Sequence, residues 1–161
     1  MGDGCAPGKR RPAAETFRPA AASASAVTVG RITVKAGRIA FGVRVPDPRH
    51  RTVGAALAQR CLAAYPSLAR HACVNGETDT FGPVIATTSL PHLIEHLAID
   101  IETHDAGNAP TTTFVGATTW TDKAQGTAVV ELSFVDDLAT LDAFNRAVRF
   151  VNDAIAELDA R

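Results

Sequence analysis

The chain has 161 residues, a hydrophobic fraction of 46% and a formal net charge of −1. This length and composition predict one domain with a real core, and they exclude a wholly disordered protein or a multi-domain ligase. The near-neutral charge gives no electrostatic reason to expect a nucleic acid or an anionic membrane as partner. No apolar run approaches the ~20 residues that cross a bilayer.

Residues 1–25 are rich in Gly, Pro, Ala, Ser and Arg and have no hydrophobic period, which predicts a disordered N-terminal tail. Residues 26–161 would then form a single folded domain. The tail lacks the apolar segment of a secretory signal, and the three cysteines show no C-x-x-C spacing. We therefore expect a cytoplasmic protein without a disulfide framework.

The first half of the domain begins with two stretches of alternating apolar residues. Residues 27–34 and 39–45 predict a β-hairpin with one buried face. Helical spacing follows over residues 52–65, and Pro66 ends that helix. The next helix, at about 90–104, is apolar nearly all round, which indicates deep burial. Thr87, Thr88 or Ser89 can cap its N-terminus.

The second half has the same order of elements. Residues 112–121 and 127–135 predict another strand pair, and residues 138–158 predict an amphipathic helix. The order ββα–α–ββα favours an α+β fold, with helices packed on one face of a mainly antiparallel sheet. An exposed strand edge in such a sheet would allow a homodimer.

The string His92-Leu93-Ile94-Glu95-His96 lies within the predicted second helix. Residues at i and i+4 share one helical face, so the two imidazoles can bind one divalent metal, for which zinc is the natural choice. The Glu95 carboxylate can then accept a proton from water and pass it to a leaving amine. The alternative is structural, with both histidines bonded to backbone groups and Glu95 paired with Arg70 or another cation.

A catalytic zinc normally takes three protein ligands, so a third must come from another segment. Glu131 is the first candidate, because an acid in the middle of a strand, opposite the Val130 side, needs a reason. An edge strand with its outer face in water would explain it equally well. Glu102 and His104 are weaker candidates.

Other polar residues receive supporting roles. Asp100 follows His96 by one turn and could orient its free ring nitrogen, or it could be a solvated helix position. The acidic residues Glu77 and Asp79 could attract a basic substrate. His50 and His71 could line a pocket, but a surface or core role is favoured for both.

The chain from about Leu57 to Val151 resembles the N-terminal domain of cyanophycin synthetase. The similar segments are Ala64-Tyr65-Pro66-Ser67-Leu68, His71-Ala72-Cys73, Phe81-Gly82, the helix from His92 to Ile101, Phe114-Val115-Gly116, Val129-Val130, Phe134-Val135-Asp136-Asp137, and Asp142, Arg146 and Ala147. The His-containing helix is the specific part of this resemblance.

The resemblance implies an α+β domain related to synthetases that build an Asp–Arg polymer. Family members with the H-x-x-E-H helix resemble a metallopeptidase that nicks the polymer to make primers. By that similarity His92 and His96 are metal ligands, Glu95 is the catalytic carboxylate, and Asp100 occupies a position where the family usually carries an acid. Ser133 stands near the family's strand acid, with Glu131 two residues earlier.

Three functional hypotheses follow. The first is a zinc-dependent peptidase or amidase that acts on a cyanophycin-like or Arg-bearing peptide. The second is a binding or assembly module without chemistry, which holds polymer or docks to a separate synthetase. The third is an inactive structural metal site closed by four protein ligands. Because no ligase module follows within the chain, a stand-alone homologue is expected.

Overall fold

The computed structural model of the protein describes residues 25–74, 78–107 and 113–161. Within them, four strands form one antiparallel sheet: β1 (Thr28–Lys35), β2 (Arg38–Arg44), β3 (Gly116–Asp122) and β4 (Thr127–Ser133). The helices are α1 (Gly54–Ala64), α2 (Leu90–Asp105) and α3 (Asp137–Asp159), with short 3-10 turns at Pro48–His50, Pro66–Arg70 and Gly82–Val84. The predicted α+β class and the order ββα–α–ββα are confirmed. The predicted tail lies almost wholly outside the described residues.

The strands are ordered β1-β2-β4-β3, so the two hairpins meet along their second strands and β1 and β3 form the edges. Alternation along β2 and β4 turns one face inward, where the Phe41 ring stacks on Phe144 of α3 at 3.7 Å. The prediction of one buried face holds for β2 but only weakly for β1. Ile32 and Val34 of β1 lie across from buried residues of β2 yet remain about half exposed at the sheet margin.

The N-termini of α2 and α3 follow their capping residues. Ser89 accepts a hydrogen bond from the His92 amide and begins α2, and Asp136 caps α3 through the Ala139 amide. Pro91 occupies the first turn of α2, where a missing N–H costs nothing. The all-round apolar character predicted for α2 is confirmed, since eleven of its residues are buried. None of the helices in the described parts of the chain is long and apolar enough to cross a membrane.

Helix α2 packs on α3 and on strands β3 and β4. It therefore lies over the half of the sheet that ends at the edge strand β3. A cleft of about 830 Å³ opens beside this contact. Its walls are the side of α2 that carries His92 to Thr103, strand β3 with the residues before it, and the segment around residues 71–74. The H-x-x-E-H residues lie in this cleft.

Candidate metal centre

The two histidines of α2 point their ring nitrogens at each other. His92 Nε2 and His96 Nε2 are 3.2 Å apart, as the i, i+4 spacing predicts for side chains on one helical face. A third donor approaches from another segment, because Cys73 Sγ lies 3.7 Å from His92 Nε2. One donor atom of each of these three residues lies within 4.8 Å of the others. We call these three residues the Cys–His–His group.

The donor spacing can be tested against a tetrahedral zinc ion. Zinc–nitrogen bonds of about 2.0–2.1 Å and zinc–sulfur bonds of about 2.3 Å separate tetrahedral donors by roughly 3.3 Å (N to N) and roughly 3.6 Å (N to S). Two of the three separations, 3.2 and 3.7 Å, match these values, and the third, between Cys73 Sγ and a His96 ring nitrogen, is within 4.8 Å. Thiolate and imidazole donors are also the set that zinc prefers. The Cys–His–His group therefore fits zinc in its chemistry and in the two separations that involve His92.

Each histidine of the group engages its other nitrogen elsewhere. His92 Nδ1 lies 2.7 Å from Thr88 Oγ1. His96 Nδ1 lies 3.3 Å from His71 Nδ1, and His71 Nε2 lies 2.9 Å from Asp100 Oδ1. If Nδ1 of each ring carries the proton in these contacts, Nε2 of both histidines keeps a lone pair for a metal.

Asp100 therefore reaches His96 through His71 rather than directly. The sequence suggested direct contact with the free nitrogen of His96, whereas the structure inserts the His71 ring between them. Burial alone would raise the pKa of Asp100, but hydrogen bonds from His71 and Ser67 and the charges of His71 and His104 lower it below its usual value. The carboxylate is thus held in the charged form that a donating His71 ring needs.

The imidazoles are kept neutral. Burial, with the neighbouring His92 and His71, lowers the pKa of His96 to about 3, and burial also lowers the pKa of His92. Phe81 stacks on His96 with ring centroids 3.8 Å apart and completes its apolar surroundings. Neutral imidazole is the form that binds metals, so the environment favours ligation over protonation.

Glu95 lies on the neighbouring side of the same helical turn. Its Oε2 accepts a hydrogen bond of 2.5 Å from Thr118 Oγ1 of β3. Burial raises the pKa of Glu95, and the Thr118 hydrogen bond offsets part of this rise. No cation pairs with it among the described residues, so the alternative of a structural ion pair with Arg70 is not what the structure has. A buried carboxyl with a raised pKa beside a possible metal suits proton transfer.

Glycine at position 116 makes room for this carboxyl group. A Cβ atom built on Gly116 would lie 2.5 Å from Glu95 Cγ and 2.7 Å from Oε1, closer than such atoms ever approach. At residue 116 of β3 no side chain competes with Glu95 for this space. The Glu95 side chain therefore packs against β3, in the cleft that His92 and His96 also line.

Cys73 is held by a short ladder between two loop segments. The Cys73 amide donates to the Asp79 carbonyl, and the Phe81 amide donates to the His71 carbonyl. Gly82 lets this ladder sit against the preceding 3-10 turn, because a Cβ there would lie 2.8 Å from the Ala69 carbonyl oxygen. The backbone thus brings His71 and Cys73 to α2 together.

Glu131, the first candidate for a third ligand, is not brought to the histidines. Its side chain forms ion pairs with Lys35 at 3.0 Å and Arg38 at 4.0 Å on the sheet face opposite the buried Val130 and Leu132. The reason is strand alternation: helix α2 covers the face of β4 that carries the apolar residues. The explanation of an outer face in water therefore fits Glu131.

The weaker candidates are also elsewhere. Glu102 is buried against α3, where it bonds to Thr140, and His104 is exposed at the end of α2. The Asp79 side chain is exposed and does not line the cleft, although its carbonyl supports Cys73. Glu77 lies outside the described residues. Sequence reasoning favoured ordinary roles for His71 and did not select Cys73. The signal that could have found them is His71-Ala72-Cys73, which the family resemblance already contained.

Fold and cleft together define a small α+β domain with a Cys–His–His–Glu constellation at the edge of its sheet. A family model described as the cyanophycin synthase-like N-terminal domain matches residues 52–156. The match covers more than half of the chain and includes α1, α2, β3, β4 and most of α3. The chain therefore belongs to this family. Among curated proteins, none matches it.

Proposed function

We propose that this protein is a zinc-dependent peptidase or amidase that acts on a cyanophycin-like or other Arg-bearing peptide. The observation that carries the proposal is the spacing of the Cys–His–His group, which suits a tetrahedral ion while Glu95 lies beside it in an open cleft. No fourth His, Cys, Asp or Glu joins the group among the described residues, which leaves a position for substrate.

Cys73, His92 and His96 would hold the metal. When bound, zinc supplies a Lewis acid that polarises the scissile carbonyl and makes water more acidic. Glu95 takes a proton as the water oxygen attacks the carbonyl carbon, and it delivers that proton to the nitrogen as the carbon–nitrogen bond breaks. Its Thr118 hydrogen bond and the close wall of Gly116 hold the carboxyl group in place for both transfers.

The substrate class comes from the family and from the lining of the cleft. Trp120 lines the cleft at the far end of β3 from Gly116. An indole face attracts a guanidinium group by about 0.5–1 kcal/mol at an exposed site. An arginine side chain of the polymer could therefore bind there while the main chain approaches Glu95.

Metal content and cobalt spectroscopy test the ligand set. Protein purified without a His-tag should carry near-stoichiometric zinc by elemental analysis, and cobalt exchange should give a thiolate charge-transfer band. Cys73→Ala should remove that band and weaken metal binding by more than the roughly 10–100-fold cost of losing an outer-shell partner. Cys61→Ala is the matched control, since burial raises the pKa of the Cys61 thiol to about 12 and it lies outside the group.

A hydrolysis assay tests the activity itself. Incubation with cyanophycin should shorten the polymer and release new amino termini, and chelation should stop this. Protein without metal, or with metal but without cleavage of the polymer, would overturn the proposal. The first result would favour the non-catalytic binding module, and the second would favour a structural metal site.

A further inference from the structure

Strand β3 has a free edge, and that edge borders the cleft. It pairs with β4 on one side only, and no strand of the described residues pairs with its other side. One face of β3 lines the cleft and is turned toward the Glu95 side chain. This face carries Gly116, Thr118 and Trp120. The outer hydrogen-bonding groups of this strand therefore lie next to the proposed reaction centre.

The pairing register shows which backbone groups point outward. The Ser133 amide donates to the Val115 carbonyl at 2.8 Å, so these two residues form a hydrogen-bonded pair at the start of the ladder. Such pairs alternate along an antiparallel ladder. Ala117 and Thr119 therefore bond to β4, whereas the N–H and C=O groups of Gly116 and Thr118 point to the free edge.

The hydrogen bonds between β4 and β2 lead to the same assignment of outward-pointing groups on β3. The Val45 amide donates to the Gly126 carbonyl and the Phe134 amide to the Gly37 carbonyl, so the even-numbered residues of β4 bond to β2. Its odd-numbered residues are left for β3, and their partners in the register are the odd-numbered residues of β3. Both ladders thus direct the even-numbered residues of β3 outward.

We infer that the substrate binds as an added strand along the free edge of β3, with its main chain hydrogen-bonded to Gly116 and Thr118. This inference rests on the proposed function. Addition of an extended peptide to an exposed sheet edge is a recurrent mode of recognition, in which the main chain supplies affinity. It sets a peptide bond of the substrate beside Glu95, whose carboxyl group accepts a hydrogen bond from Thr118 and occupies the space next to Gly116.

The opposite edge of the sheet provides an internal control. Ile32 and Val34 of β1 point their backbone groups outward by the same alternation, because the even-numbered residues of β2 bond to β1. This edge does not line the cleft. A peptide that pairs with any exposed edge strand would bind to β1 and to β3. A substrate that binds at the reaction centre would bind to β3 alone.

Amide hydrogen exchange measured by NMR distinguishes these cases. The experiment uses the zinc-loaded full chain with Glu95→Gln, so that bound polymer is not cleaved, and soluble cyanophycin oligomers as probe. Exchange at Gly116 and Thr118 should slow at least about tenfold on saturation. Amides of Ala117 and Thr119, which are already bonded to β4, should change less, and those of Ile32 and Val34 should not change. Arginine amide, which has a guanidinium but no peptide chain, should protect none of them.

Binding that shifts the Trp120 signal without slowing exchange at Gly116 and Thr118 would overturn the inference. Equal protection at Ile32 and Val34 would also overturn it, since the edge would then have no selectivity. Absence of oligomer binding contradicts it as well. Hydrolysis by the unmodified protein is measured separately, so the edge inference can fail while the proposed function stands. Absence of both oligomer binding and hydrolysis would contradict the edge inference and the proposed function together.

Discussion

Helix α2 carries two buried glutamates, Glu95 and Glu102, two turns apart and each 5% exposed. Each accepts a hydrogen bond from one threonine hydroxyl, Thr118 for Glu95 and Thr140 for Glu102. Burial raises the pKa of both. Glu95 opens on a cleft beside the Cys–His–His group, whereas Glu102 faces α3. Burial and a raised pKa are therefore shared by both residues, and only the neighbours of Glu95 support the catalytic role proposed for it.

The largest expected effect is on the rate of hydrolysis, when Glu95 is neutralised and Glu102 is neutralised as its control. Glu95→Gln should lower the rate of polymer hydrolysis by about 10²–10⁴-fold, the usual contribution of a general acid–base group, while zinc remains bound. Glu102→Gln should retain the unmodified rate. Rates come from released amino termini, with metal content measured on the same samples. Full activity in Glu95→Gln, or equal losses in the two variants, would contradict the distinction between them.

A smaller effect should follow from moving Glu95 without removing it. Gly116→Ala places a methyl group where the Glu95 side chain now lies, so the carboxyl group must shift. A misplacement of this size can reduce the rate by up to about a hundredfold. Gly30→Ala on β1 is the matched control, because its Cβ would meet only an ordinary contact of 3.7 Å. Both variants should unfold at similar denaturant concentrations, and an unchanged rate for Gly116→Ala would show that the position of Glu95 is not critical.

The smallest effect concerns Glu102 and stability. Its Oε2 atom is buried without a hydrogen-bond partner in the described residues, and burial raises its pKa above the usual 4.5. The folded state then binds the proton more tightly than the unfolded chain. The stability linked to this group is full below pH 4.5 and is lost as the pH rises through the raised pKa.

Glu102→Gln carries no charge and should therefore be more stable than the unmodified protein at pH 7, by about 1 kcal/mol. The difference should shrink at pH 4. Urea unfolding at the two pH values measures it. A variant that is less stable at pH 7 would show that the charged carboxyl group stabilises the contact between α2 and α3.

The sequence was sufficient for features that depend on local patterns. Local patterns predicted both strand pairs, and the polar run Thr87, Thr88 and Ser89 before an apolar helical stretch predicted where α2 begins, with Ser89 as the observed cap. The spacing of His92, Glu95 and His96 put these residues on one helical turn without any tertiary information. Each of these inferences needs only residues within one or two turns of each other.

Long-range placement was harder to predict. Cys73 and His92 are 19 residues apart in sequence and have no recognised ligand spacing, so only the folded loop brings them together. Glu131 was placed correctly on the polar side of β4, but which side α2 covers follows from packing. Its ion pair with Lys35 joins residues 96 positions apart and depends on the register of three strands.

The donors of the Cys–His–His group come from two segments, the stretch that carries Cys73 and the first turns of α2. An ion held by all three would act as a removable cross-link between residues that are 19 positions apart in the chain. Such a link restricts the loop in the same way that a short covalent bridge would, and it couples local order to the supply of metal. The segment that carries His71 and Cys73 would then tighten when zinc is plentiful and loosen when it is scarce.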